Sequence, residues 1–366
     1  MSVALQALSP ADLADRAGID QVDARRIVSL VHRTGGLPER SPATIRRAAL
    51  DRARAIGHVP SIELAERRAS AVDPFVKYAF RLHDGALVET VRIPLEKAGR
   101  FSVCVSSQVG CALACAFCAT GTMGLRRNLE AWEIVEQVRR VREDLQREPP
   151  APGVRAKVHG VLFQGMGEPM ANLDRVIDAI AVLGDPSAQA IDVRNITVCT
   201  AGIPSGIARL AREVPSARLG LSLGSAKPGA RRGLMPIDGA HPLSAVLSAA
   251  GEHAKITGHA PMFAYTLLAG HNDGDEDAMH LAELVKDFAR AHGVRPRLSL
   301  IPFNDFETSP FERSPRLTEF RDALIANGVF PIVRYSGGGD VGAACGQLVT
   351  LRRRQPGDPV PQKRNA

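Results

Sequence analysis

The chain has 366 residues and 45% hydrophobic content, enough for one large domain of about 250 residues and a smaller one. Its formal charge of +7 comes mostly from arginine and permits a polyanionic partner, whereas 4% aromatic content leaves little for base-stacking surfaces. The first residues, MSVALQALSPADLADRAG, carry early acids and no apolar core, and no later run reaches about 18 apolar residues, so the expectation is a cytoplasmic protein without signal peptide or membrane span.

Residues 1–70 read as small helices, and 1–72 as a helical accessory domain. Ser9-Pro10-Ala11-Asp12 supplies an N-cap followed by proline in the first turn, and Ser41-Pro42 repeats the pattern. Arg25, Arg26, Arg33, Arg46, Arg47, Arg52 and Arg54 make this segment basic. They read either as solvated helix faces or as a phosphate-contacting surface. Alternation then takes over in 76–82 and 87–93 around His83-Asp84-Gly85, which predicts a β-hairpin leading in over 73–100. Glu89 lies in its second strand, where a glutamate ordinarily faces solvent.

From 101 to 350 strands alternate with helices. Candidate strands cover 101–107, 158–163, 195–200, 217–223, 263–268, 297–301 and 331–335. An amphipathic helix carries Ile134, Val138, Val141 and Leu145, and further helices cover 277–292 and 314–327. This rhythm predicts parallel pairing in an α/β barrel or partial barrel with its chemistry at the C-terminal strand ends. The tail 351–366 is basic and reads as disordered, or as an RNA-contacting extension.

Six cysteines occur, and three of them, Cys111, Cys115 and Cys118, share the stretch CALACAFC. That crowding argues against a secreted disulfide framework. Three thiolates hold three corners of a [4Fe–4S] cluster and leave one iron open, and no fourth cysteine follows within the next eighty residues. The alternatives are a zinc site, which ordinarily uses paired C-x2-C knuckles and four ligands, or three unrelated thiols. An open iron needs a bidentate ligand, which the amino and carboxylate groups of S-adenosylmethionine (SAM) provide; the cofactor then carries radical chemistry that the protein positions. Gly165-Met166-Gly167-Glu168-Pro169 ends a strand, its glycines permitting close backbone approach and Glu168 offering a carboxylate for a cationic amine. Ser222 and Asn304 are plausible polar SAM ligands at strand ends. Cys104 and Cys345, each readable as an inert buried thiol, could instead meet across the barrel mouth.

Taken together, DPFVKYAFRLHDGALVETVRIP (73–94), CVSSQVGCALACAFC (104–118) with Asn128-Leu129, GMGEP (165–169), the segment 195–202, Ser222-Leu223, IPFN (301–304) and AACGQL (343–348) resemble the RlmN/Cfr family of radical SAM adenine methyltransferases, over nearly the whole chain. The resemblance implies a partial (β/α)6 TIM-like barrel with a [4Fe–4S] cluster on Cys111, Cys115 and Cys118, and SAM contacts from Gly167, Glu168, Cys199, Ser222, Leu223, Gly224 and Asn304. It implies two SAM molecules per turnover, an S-methylcysteine at Cys345, resolution by Cys104 through a transient disulfide, and Glu89 as proton acceptor. The implied product is an adenosine methylated at an amidine carbon, C2 favoured over C8, in ribosomal or transfer RNA. The implied enzyme is a monomer served by a donor such as flavodoxin or ferredoxin. Radical chemistry suits such a carbon, which is too electron-poor to attack a sulfonium methyl group. Two departures stand out: Cys199 replaces the family's serine and Gly224 its histidine, which leaves room for another RNA substrate. A methylthiolating enzyme would need a second cluster, and a non-catalytic iron–sulfur RNA-binding module would leave GMGEP and the two further thiols without a role.

Overall fold

A computed structural model describes residues 2–150 and 154–348. The expected tail 351–366 lies outside the described residues.

Three helices form the N-terminal unit: α1 (Pro10–Ala17), α2 (Gln21–Thr34) and α3 (Arg47–Ile56). Local chemistry sets their ends. Ser9 and Asp12 close a reciprocal capping box ahead of Pro10, and Gly18 ends α1 at φ 61°. The Asp20 carboxylate accepts from the N–H groups of Val22 and Asp23, both at 2.9 Å. Leu13, Ala24, Ile27, Val28, Val31, Leu50 and Ala53 meet in a small core of their own.

The rest of the described chain is built on one ten-stranded sheet whose strands follow one another in chain order. They are β1 (Glu63–Ala69), β2 (Val76–Arg81), β3 (Leu87–Pro94), β4 (Arg100–Val105), β5 (Lys157–Phe163), β6 (Ile196–Thr200), β7 (Arg218–Ser222), β8 (Met262–Leu267), β9 (Arg297–Pro302) and the short β10 (Ile332–Val333). Pairing is antiparallel from β1 to β4 and parallel from β4 to β10. Six full parallel strands, β4 to β9, with helices between them, are the expected (β/α)6 partial barrel, and β10 adds a two-residue edge.

One expectation needs correcting. Residues 63–69 are not helical; they form β1, which pairs with β2 and turns the expected hairpin into a three-stranded antiparallel layer. The segment ELAERRA favours helix by composition, but the paired backbone of the hairpin edge overrides that preference.

Helix α4 (Ala131–Arg147) buries Ile134, Val138, Val141 and Leu145 against the sheet, as their spacing predicts. Polar side chains of α4 are buried too: Gln137 turns into the sheet, accepting from the Thr90 hydroxyl and the Ser106 N–H, both at 2.8 Å, while Arg139 pairs with Glu136 at 2.7 Å and lies beside Gly35 at the end of α2. The joint is polar: Gln189 bridges His32 Nδ1 at 3.0 Å and Arg142, which donates to the Gln189 carbonyl at 2.7 Å.

Candidate active site

The cysteine loop is held between two short strands, Gln108–Cys111 and Gly124–Asn128, which pair antiparallel just beyond the C-terminal end of β4. Inside the loop, the Cys118 N–H donates to Cys115 O at 3.1 Å and the Gly121 N–H to Cys118 O at 2.9 Å. Gly121 must be glycine here, since a Cβ would lie 2.8 Å from the Cys115 carbonyl oxygen. Two outer contacts fasten the loop: Ala116 N–H to Leu234 O at 2.9 Å and Ala119 N–H to Gly346 O at 2.8 Å. The second ties the cluster loop directly to the Cys345 loop.

Cys111, Cys115 and Cys118 line one cavity at the barrel mouth, together with Gly167, Glu168, Cys199, Ser222 and Cys345. Burial is the main cause that pushes the Cys111 thiol up to about 11, with Glu168 and then Cys118 adding to it, and Cys115 to about 12, with Cys118, Cys111 and Glu168 adding to it. Crowded soft donors that repel one another as thiolates are what a cationic iron core relieves, so the residues present fit a cluster on three ligands.

The GMGEP turn closes the adjoining wall. Gly167 sits at φ 102°, and a Cβ there would fall 2.6 Å from the Gln108 side chain. The Glu168 N–H donates to Gln108 Oε1 at 2.8 Å. Its buried carboxylate accepts from the Met170 N–H at 3.0 Å and the Ala201 N–H at 2.9 Å. Burial raises the Glu168 pKa, and these backbone donors oppose that rise. The Thr200 side chain is a third donor to the carboxylate, whose roughly four lone-pair sites still leave room for a cationic amine.

A second cavity adjoins the first, lined by Val91, Ile93, Cys104, Leu162, Arg334 and Cys345 among others. Gln164, Ile301, Cys345 and Gly346 line both. Cys345 is therefore the thiol that faces the three cluster cysteines on one side and Cys104 on the other. It is exposed, whereas Cys104 is buried on β4. Although water reaches Cys345 through the mouth, surrounding protein raises its pKa to about 11. Burial, then the neighbouring Cys345 and Cys199, drive Cys104 higher still. The Arg334 guanidinium counteracts this at all three thiols.

Glu89 does not face solvent: it is fully buried, 2.9 Å from Lys77 Nζ. The alternation of β3 places it on the same face as Val91 and Ile93, both of which line the Cys104 cavity. Lys77 also donates to the Gly342 carbonyl at 3.2 Å, reaching the Cys345 loop.

The remaining sequence candidates divide. Cys199 and Ser222 line the cluster cavity. Burial lifts the Cys199 thiol to about 12, and its sulfur packs over Gly220, where a Cβ would approach to 2.7 Å. Leu223 is buried in the main core instead. Gly224 takes φ 70°, and a side chain would meet Met235 Sδ at 2.6 Å, so backbone and neighbour both suit glycine rather than histidine. Asn304 reaches not the cavity wall but the Cys345 loop, donating to the Cys345 carbonyl at 3.1 Å and accepting from Ser336 Oγ at 2.9 Å.

Sequence reasoning missed Lys77, Gln164 and Arg334. Gln164 carried a faint signal, standing immediately before GMGEP; Lys77 and Arg334 carried none, because their roles arise only from strand pairing.

The radical SAM superfamily pattern matches residues 105–285. A probable RNA methyltransferase of Sorangium cellulosum is 66% identical, over 95% of this chain and 93% of its own length. The dual-specificity RNA methyltransferase RlmN of Syntrophobacter fumaroxidans is 41% identical, over 77% of this chain and 79% of its own length. Among solved structures, a radical SAM methyltransferase from Sphaerobacter thermophilus superposes with a TM-score of 0.82 at 32% identity, over 94% of this chain and 99% of its own. With the cysteine loop, the GMGEP turn and the partial barrel in place, these likenesses show that the chain is an enzyme of the RlmN/Cfr family of radical SAM methyltransferases.

Proposed function

We propose that the enzyme methylates an amidine carbon of adenosine in RNA, C2 favoured, through a methyl group carried on Cys345. The observation that carries this reading is the position of Cys345 on the wall shared by two cavities, one with the cluster cysteines and one with Cys104. RNA as substrate is supported by the relatives' names and by exposed arginines such as Arg25 and Arg33 on the accessory helices. Part of that basic charge serves internal contacts, since Arg46 pairs with Asp23, and Arg52 and Arg54 bond the carbonyls of Gly18 and Pro38.

Cys111, Cys115 and Cys118 would hold the cluster, and the Glu168 turn, Cys199 and Ser222 would line the place of SAM. The cluster and SAM would supply the radical chemistry that activates the methyl group carried on Cys345. The Cys345 thiol first takes a methyl group from one SAM, and its methylene radical then adds to the adenine carbon. Glu89 accepts the proton lost from that carbon, and the adduct's unpaired electron would return to the cluster, which restores the aromatic ring before the thiol step. Cys104 attacks the Cys345 sulfur, which breaks the sulfur–methylene bond, leaves the methylene to take up a proton as methyl, and yields a Cys104–Cys345 disulfide. A flavodoxin or ferredoxin would supply the electron, and a dithiol would reduce the disulfide.

The test is the Cys104→Ala variant under anaerobic turnover. RNA should remain covalently attached through Cys345, and mass spectrometry of the trapped nucleotide should identify C2 or C8. Turnover without any attached RNA would sink the thiol-resolved mechanism. Mapping modified adenosines in cells with and without the gene would distinguish ribosomal from transfer RNA.

A further inference from the structure

At the junction of the two cavities the thiol pair is connected by a single residue. Gln164 follows the last residue of β5 and lines both cavities. Its side-chain Nε2 donates to Cys345 Sγ at 3.3 Å, within the range of a hydrogen bond to sulfur. Its main chain lies next to Cys104 and opposes part of the rise that burial imposes on that thiol. The backbone of Gln164 is fixed, since the next residue, Gly165, donates to Val105 O at 3.1 Å and has no room for a Cβ, which would lie 2.5 Å from that oxygen. The side chain, by contrast, is only half-buried at the cavity wall.

We propose that Gln164 is a positioning residue for the thiol pair, its side-chain amide holding Cys345 at the boundary of the cavity that Cys104 lines. The inference rests on the reading of Cys104 and Cys345 as partners given above. The amide N–H favours one rotamer of an exposed cysteine that would otherwise sample several, so the sulfur stays within reach of both sides. Sulfur accepts only weakly, so the amide orients the Cys345 thiol without locking it.

The test uses the full-length, cluster-loaded protein without RNA, held anaerobically with diamide as the two-electron oxidant. Formation of the Cys104–Cys345 disulfide is followed by peptide mass spectrometry. Losing one hydrogen bond should slow it about three- to tenfold in Gln164→Leu. Gln164→Glu separates positioning from packing, since it preserves the shape but replaces the donor with an acceptor carrying negative charge. A packing role predicts the wild-type rate for this variant at pH 8; the proposed role predicts a rate below that of Gln164→Leu. Retained iron content and thermal midpoint verify that each variant is folded. A wild-type rate in both variants overturns the role of Gln164 and leaves the thiol pairing intact. Absence of the disulfide in the wild-type protein overturns the pairing, and this inference with it.

Discussion

Lys77 Nζ stands 2.9 Å from Glu89 Oε1 and 3.2 Å from the Gly342 carbonyl oxygen, so one ammonium joins a buried strand carboxylate to the loop that bears Cys345. Both side chains are buried, Glu89 completely and Lys77 to 5% exposure. Charges at that depth persist when paired, and removing one partner of such a pair ordinarily costs about 3–5 kcal/mol. Lys77→Met should therefore unfold at markedly lower denaturant than the wild-type protein. Adding Glu89→Gln to the same chain should recover most of the loss, because the carboxylate that needed the ammonium is gone. Chemical denaturation of the two single variants and the double variant checks this; strictly additive losses would show that the pair is not coupled.

The cluster ligands make a simpler prediction. Cys115 is one of three cysteines on the same cavity wall, and two ligands hold an iron core far less well than three. Cys115→Ala should bind iron and sulfide only at background level after reconstitution, and lose the visible charge-transfer absorption. Its secondary structure should be preserved, because the loop is fastened through backbone contacts to Leu234 and Gly346. Full iron content in this variant would remove Cys115 from the ligand set.

Much of this site was legible in the sequence because its residues lie close together along the chain. The spacing of CALACAFC and the glycines of GMGEP are local constraints, and local constraints are written in the order of residues. The alternation that produced β4 to β9 was legible for the same reason. What could not be read was burial across elements. Glu89 looked like an ordinary strand glutamate, and only the pairing of β2 with β3 and the approach of the Cys345 loop bring Lys77 beside it. Residues 63–69 looked helical because their neighbour in the sheet lies beyond a turn. Asn304 was read only as a cofactor contact, and its bonds to the Cys345 carbonyl and the Ser336 hydroxyl, residues distant in sequence, could not be read there.

The accessory joint should respond to acid. His32 is buried against α4, and its pKa falls from 6.5 to about 4 through burial and then the charges of Arg139 and Arg142. Protons therefore bind the unfolded chain more readily than the folded one between these two values. The neutral imidazole contributes stability that is complete above pH 6.5 and is lost as pH falls toward 4, by up to ~3 kcal/mol. Replacing His32 with Gln keeps a polar side chain without this titration. Wild-type stability should drop more steeply than that of His32→Gln between pH 6.5 and 4. Parallel pH profiles would exclude His32 as a source of the acid response.

The final prediction concerns how the Cys345 loop is fastened to the antiparallel layer. Asp73 accepts from the Gly338 N–H at 2.8 Å and the Tyr335 hydroxyl at 3.1 Å, while Asp340 accepts from Ser70 Oγ at 2.7 Å and the Ala71 N–H at 2.8 Å. The two carboxylates lie on opposite sides of the contact and bind reciprocally, one from the strand side and one from the loop. These bonds hold the stretch 335–340 that leads into the Cys345 loop. Asp73→Ala and Asp340→Ala should each lower global stability by only about 1–2 kcal/mol, since the bonds are peripheral. Their larger effect should fall on the loop: Cys345 should react faster with iodoacetamide, by several-fold, while Cys104, buried on β4, should react as before. Peptide-resolved alkylation kinetics separate the two thiols. Equal acceleration at both would indicate general loosening, and no acceleration at Cys345 would show that the loop holds its place without these carboxylates.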